Sequence, residues 1–165
     1  MFAVFTIRVE AQQTVVIDRS LSFFDRATVG NFRYDDFFIV NHHRFDSDGA
    51  TRDTFEMKLI HMRAGISEAR AKKKLKRLNY RPATLNELIA YESIYPTNLY
   101  GYGKTYAFGE VFTDKLHRYA PTIGRYKACD TCPRSIFLEP IETGLRRNET
   151  DGCRKCGVLV LGVRE

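Results

Sequence analysis

A chain of 165 residues with 44% hydrophobic and 28% charged side chains is long enough to bury a core without disulfide help, and it fits one domain or one domain with a small appendage. The 12 Phe and 9 Tyr exclude a largely disordered polypeptide. The net charge of +6 is uneven: residues 1–66 hold 8 basic and 9 acidic side chains, residues 67–127 hold 12 and 5, and residues 128–165 hold 6 and 6. The positive excess therefore sits in the middle third and points to a polyanionic partner.

In chain order, residues 2–9 and 14–18 read as strands. Residues 20–29 are predicted as a short helix capped by Ser20 and ended by Gly30 and Asn31. Phe37 to Val40 is expected as a buried strand, followed by a polar loop around Asp46 to Gly49. Thr54 to Met62 alternates as a strand with Phe55, Met57 and Leu59 on one face. Ser67 is the expected cap of a helix over 68–78, whose apolar stripe is Ala69, Leu75 and Leu78. Thr84, Leu85, Asn86 and Glu87 form a capping box that opens a second helix, closed by Pro96. A Gly/Tyr loop leads into a predicted strand from Thr105 to Thr113, and three further strands are expected at 122–128, 135–141 and 158–163. This order implies an α+β fold with a mainly antiparallel sheet and about three helices.

All four cysteines lie in two Cys-x-x-Cys pairs, Cys129 with Cys132 and Cys153 with Cys156. The start of the chain carries no recognisable export signal, so a cytoplasmic, reducing compartment is expected, where such pairs are metal or redox sites before they are disulfides. Each tight turn brings two thiolates to one ion, and two turns complete a tetrahedral shell with bonds of about 2.3 Å. That closed shell leaves no open position, so the expected ion is a structural Zn2+. Two local disulfides in an exported protein and rubredoxin-like iron are the alternatives. Gly157 after the second pair eases the turn. With strands on either side of each pair, residues 121–165 resemble the zinc-ribbon superfamily. The resemblance implies a metal and a C-terminal zinc-ribbon fold, and no particular activity. It divides the chain into an α+β domain, residues 1–120, and a zinc-ribbon subdomain, residues 121–165.

Arg70, Lys72, Lys73, Lys74, Lys76, Arg77 and Arg81 crowd one predicted helix and its exit. At about 100° per residue they cover most of its circumference. A phosphate backbone would relieve their mutual repulsion, and Tyr80, Tyr91 and Tyr95 are near enough in sequence to stack on bases. The bland alternative is a solvated helix whose cations favour the C-terminal dipole. Other motifs fail. Gly103, Lys104 and Thr105 lack the earlier glycine of a phosphate loop, since Asn98 stands there. Asp46 to Gly49 lacks the first and twelfth ligands of a calcium loop. His42 and His43, adjacent on the chain, carry at most a minor second-metal reading with Asp46 or His61.

Tyr80 to Tyr91 with Tyr95 and Pro96, and the ending from Leu159 to Arg164, are similar to small uncharacterised bacterial proteins with an Arg-Pro-Ala-Thr core. That resemblance implies no activity. The sequence therefore points to a non-enzymatic, zinc-stabilised binding module that contacts RNA or a ribonucleoprotein through its basic helix. The competing classes are a protein–protein interaction adaptor and an enzyme whose site is not visible in sequence.

Overall fold

Local hydrogen-bond chemistry decides where each helix begins. The Ser22 hydroxyl accepts from the Asp25 amide and the Asp25 carboxylate accepts from the Ser22 amide, a reciprocal box that starts helix α1 (Phe23–Val29). The predicted cap two residues earlier, Ser20, instead donates to the Asp18 carboxylate. Ser67 caps helix α2 (Glu68–Arg77), and the Thr84–Glu87 box opens helix α3 (Leu85–Ile94), both as the sequence predicts. A computed structural model describes residues 11–18, 20–34, 52–96, 104–124, 134–142, 144 and 157–165. The expected strands at 2–9 and 37–40, the loop at 46–49, and His42 and His43 lie outside the described residues.

The described strands are β1 (Gln13–Asp18), β2 (Phe32–Tyr34), β3 (Arg52–Met62), β4 (Tyr80–Pro82), β5 (Lys104–Tyr106), β6 (Phe112–Thr113), β7 (Arg118–Gly124), β8 (Arg134–Pro140) and β9 (Val158–Arg164). They form one sheet in the order β1-β3-β9-β5-β7-β8-β2, with β4 also paired to β9 and β6 to β7. The pairings are antiparallel except β2 with β8 and β5 with β9. The fold is thus α+β with a mostly antiparallel, mixed sheet. The strand expected from Thr105 to Thr113 divides into β5 and β6, because the chain turns at Gly109 to donate its amide to the Ala83 carbonyl. A β-carbon at Gly109 would stand 2.7 Å from that oxygen, so only glycine allows the approach.

Period-two alternation sends side chains to two cores. From β9, Leu159, Leu161 and Val163 join Met57, Leu59 and the apolar faces of α1 and α3. Val158 and Val160 join Ile60, Met62, Tyr106 and the buried side of α2 on the other face. A strand buried on both faces reads as a continuous apolar run, as Val158 to Leu161 does. β9 runs between β3 on one side and β4 and β5 on the other. The expected boundary between residues 120 and 121 falls inside β7, and the strands before and after it share the one sheet.

Candidate nucleic-acid interface

Helix α2 is held to the sheet by two side chains, Ala71 and Leu75, one turn apart and fully buried. The expected stripe is corrected accordingly: Ala69 and Leu78 are exposed and only Leu75 of the three is covered. The reason lies in β9. Gly162 has no side chain, and a β-carbon there would meet the Leu75 side chain at 2.9 Å and the Tyr80 β-carbon at 3.0 Å, so Leu75 seats directly over the strand.

This docking sorts the seven cations. Lys72 pairs with Glu68 one turn earlier at 2.6 Å, and Glu68 also takes Arg118 at 3.0 Å. Arg81 lies on β4, beyond the helix. Its guanidinium makes two bonds to the buried Glu87 carboxylate, at 2.9 and 2.6 Å, and those bonds hold it protonated more firmly than usual. Arg70, Lys73, Lys74 and Arg77 follow the i, i+3, i+4, i+7 pattern of one helix face, and all four are exposed, as is Lys76 beside them. Among the described residues no carboxylate pairs with any of these five. The Lys74 ammonium donates to the His61 carbonyl at 2.8 Å, and retains two further N–H donors.

The tyrosines are dispersed. Tyr91 is buried in the core on the opposite face of the sheet, its ring 5.6 Å from that of Tyr95. Tyr80 is buried beside α2, and its hydroxyl donates to the Gln12 side-chain carbonyl at 2.9 Å. Of the three, only Tyr80 adjoins the basic helix.

Between the C-terminal end of α2 and the β3–β9 surface lies a cavity of about 460 Å³. Lys58 and Ile60 on β3, Lys74 and Leu78 from α2 and its cap, Tyr80, and Arg164 at the end of β9 line it. His61 borders the same cavity, and burial, then the nearby Lys74 charge, hold its imidazole below the ordinary value, toward the neutral form. Arg164 donates to the Glu56 carboxylate at 3.2 Å and to Gln12 at 3.4 Å. Nothing in the sequence brings these residues together, because they come from five separate segments of the chain.

The remaining expected sites divide cleanly. Cys129, Cys132, Cys153 and Cys156 lie outside the described residues. Among the described residues no group of three or more His, Cys, Asp and Glu side chains could hold a metal. Lys104 and Thr105 sit on strand β5, where Lys104 pairs with Glu139 and lies over the Phe137 ring at 5.3 Å. Among the described residues no helix is long and apolar enough to cross a membrane. No family model, curated protein or solved structure matches this chain.

Proposed function

We propose that this chain is a non-enzymatic, zinc-stabilised binding module that contacts RNA or a ribonucleoprotein through the exposed face of α2. The observation that carries it is the stripe of Arg70, Lys73, Lys74 and Arg77, exposed and without carboxylate partners among the described residues, while Lys72 and Arg81 are neutralised by Glu68 and Glu87. Four like charges along about 10 Å of helix repel one another, and a phosphate backbone relieves that repulsion while releasing its own counterions. The test is binding of a single-stranded RNA oligonucleotide by the whole chain and by a variant with these four residues changed to Gln. Wild-type binding that weakens with salt, and its loss in the variant, are expected. Equal affinity of the two proteins overturns the assignment.

The metal half of the proposal rests on donor chemistry and chain reach. Four thiolates suit a closed tetrahedral zinc shell, which would be supplied by Cys129, Cys132, Cys153 and Cys156. The described ends that flank them favour it. Gly124 pairs with both Lys104 and Ser135, and β5 runs parallel to β9, so the end of β7 and the starts of β8 and β9 lie at one end of the sheet. Neighbouring strands stand about 4.8 Å apart, and the five residues from Gly124 to Cys129 span up to roughly 17 Å, enough to cross the two inter-strand spacings that separate β7 from β9 on either side of β5. Bound zinc would fix this end of the sheet and supply no chemistry to a substrate. One zinc per chain by elemental analysis is the expected result. Metal-free thiols in protein purified without chelator would overturn it.

A further inference from the structure

The cavity beside α2 collects charge that no described carboxylate fully neutralises. Three cations line it, Lys58, Lys74 and Arg164. Arg164 is answered by Glu56, whereas neither Lys58 nor Lys74 has a carboxylate partner among the described residues. Among the described residues the cavity lining carries no acidic side chain. The apolar part of that lining is Leu59, Ile60, Leu78 and the buried Tyr80 ring. Among the described residues the surplus is thus two positive charges beside apolar lining. A volume of about 460 Å³ lies within the range of small-molecule sites and is far more than a bare phosphate ion fills.

We infer that this cavity is a binding site for an organic phosphomonoester of nucleotide size. A phosphomonoester carries between about −1.5 and −2 charge at neutral pH, which matches the surplus, whereas an internal phosphodiester of a nucleic acid brings only one negative charge. Two lysine ammonium groups and the outer edge of the Arg164 guanidinium supply charge-assisted donors to its oxygens. The apolar lining covers the organic body. Lys74 belongs both to this cavity and to the basic stripe of α2, so the same phosphate can arrive on a free nucleotide or on the terminus of an RNA strand lying along the helix.

The experiment is calorimetric titration of the whole chain with adenosine 5′-monophosphate, with adenosine, and with a short RNA carrying or lacking a 5′-phosphate. Saturable binding of the monophosphate, at least tenfold tighter than adenosine, is expected. Lys58→Gln and Lys74→Gln should each weaken it at least fivefold. The Lys58 side chain forms none of the described hydrogen bonds or ion pairs, so the first substitution leaves the fold intact, as its circular dichroism will check. The double variant Arg70→Gln, Arg77→Gln lies outside the cavity and should leave the monophosphate affinity unchanged while weakening RNA. A 5′-phosphate preference in RNA that Lys58→Gln abolishes identifies a strand end as the source. Monophosphate binding without that preference identifies a free nucleotide. If neither the monophosphate nor the phosphorylated RNA depends on Lys58, or if succinate binds as well as the monophosphate, the inference is overturned. RNA binding that survives loss of the stripe sinks the proposed function separately.

Discussion

Glu92 is fully buried, and its carboxylate is met by the Arg134 guanidinium at 3.0 Å. Arg134 also donates to the Gly30 carbonyl at 3.3 Å and lies over the Phe32 ring at 4.5 Å, so one side chain joins α3, the end of α1, β2 and β8. Removing one member of a buried pair strands the other charge, at a cost of about 3–5 kcal/mol, while replacing both with apolar groups of similar volume is far cheaper. Glu92→Ala should therefore lower stability to urea by that amount, and Glu92→Leu combined with Arg134→Met by much less. A double variant whose loss equals the sum of the losses of the two single variants would show that the two residues are not coupled. A second residue sets an acid limit. The Asp114 carboxylate accepts from the Leu116 and His117 amides at 2.7 Å each and from the Tyr119 hydroxyl at 3.0 Å, closing the β6–β7 turn. The two amide bonds, backed by the tyrosine, hold it below the ordinary value of 3.8. Because the folded value is the lower one, the unfolded chain takes up its proton first as pH falls. The turn's stabilisation is then complete above pH 3.8 and is lost as pH drops through the lower folded value. The Leu116 and His117 amide resonances should titrate with a midpoint below 3.8, and Asp114→Asn should remove the transition. A midpoint at or above that value would contradict the hydrogen-bond pattern.

At the scale of elements, the binding proposal becomes a slope. Each phosphate neutralised on a single strand contributes about −0.7 to the slope of log affinity against log salt. Four contacts from the stripe on α2 give roughly −2.8, and about −3.6 on duplex DNA. Lys72→Gln, already paired with Glu68, should change the slope little, whereas Lys73→Gln should reduce its magnitude by about 0.7. Equal effects of the two substitutions would mean that helix charge as a whole, and not this face, governs binding. Helix beginnings are legible in the sequence because a cap is local chemistry: Ser67, and Thr84 with Glu87, act within one turn. The start of α1 lies two residues beyond the expected one because Ser20 and Ser22 are both competent caps, and only the reciprocal bond to Asp25 decides. The side of α2 that docks is not legible, since Leu75 seats in the gap that Gly162 leaves in a strand far along the chain. For the same reason the cationic cavity is invisible in sequence: its lysines are ordinary surface residues until β3, β4 and β9 are assembled beside the helix.

For the molecule as a whole, β9 decides how the parts stand or fall together. Its residues from Val158 to Val163 are all buried, the side-chain-free Gly162 lying under Leu75 and Tyr80. They enter both cores. Gly157 precedes it, and a β-carbon there would stand 2.1 Å from the His61 ring and from the Met62 carbonyl, so the chain enters β9 pressed against β3. The proposed zinc ligand Cys156 is the next residue back. Binding a structural metal is coupled to folding of the segments that carry its ligands, and here those segments lead into β7, β8 and β9, which hold the sheet on both sides of its centre. Loss of the metal should then weaken the far strands β1 and β3 as much as the near ones. For a chain of this size each kcal/mol lowers the melting temperature by roughly 2–4 °C, and losing several kcal/mol of metal binding should lower it by about 10 °C or more. Cys153→Ser and chelator treatment are expected to give the same shift. Amide exchange at Val15 and Leu59 should accelerate together with that at Ile123 and Ile136, as one cooperative unit. Gly157→Ala should destabilise the zinc-bound protein without releasing zinc, because its effect is the close approach to His61 and not the ligand shell. Two separate melting transitions, with β1 and β3 still protected after zinc removal, would show that the C-terminal strands fold as their own unit despite sharing the sheet.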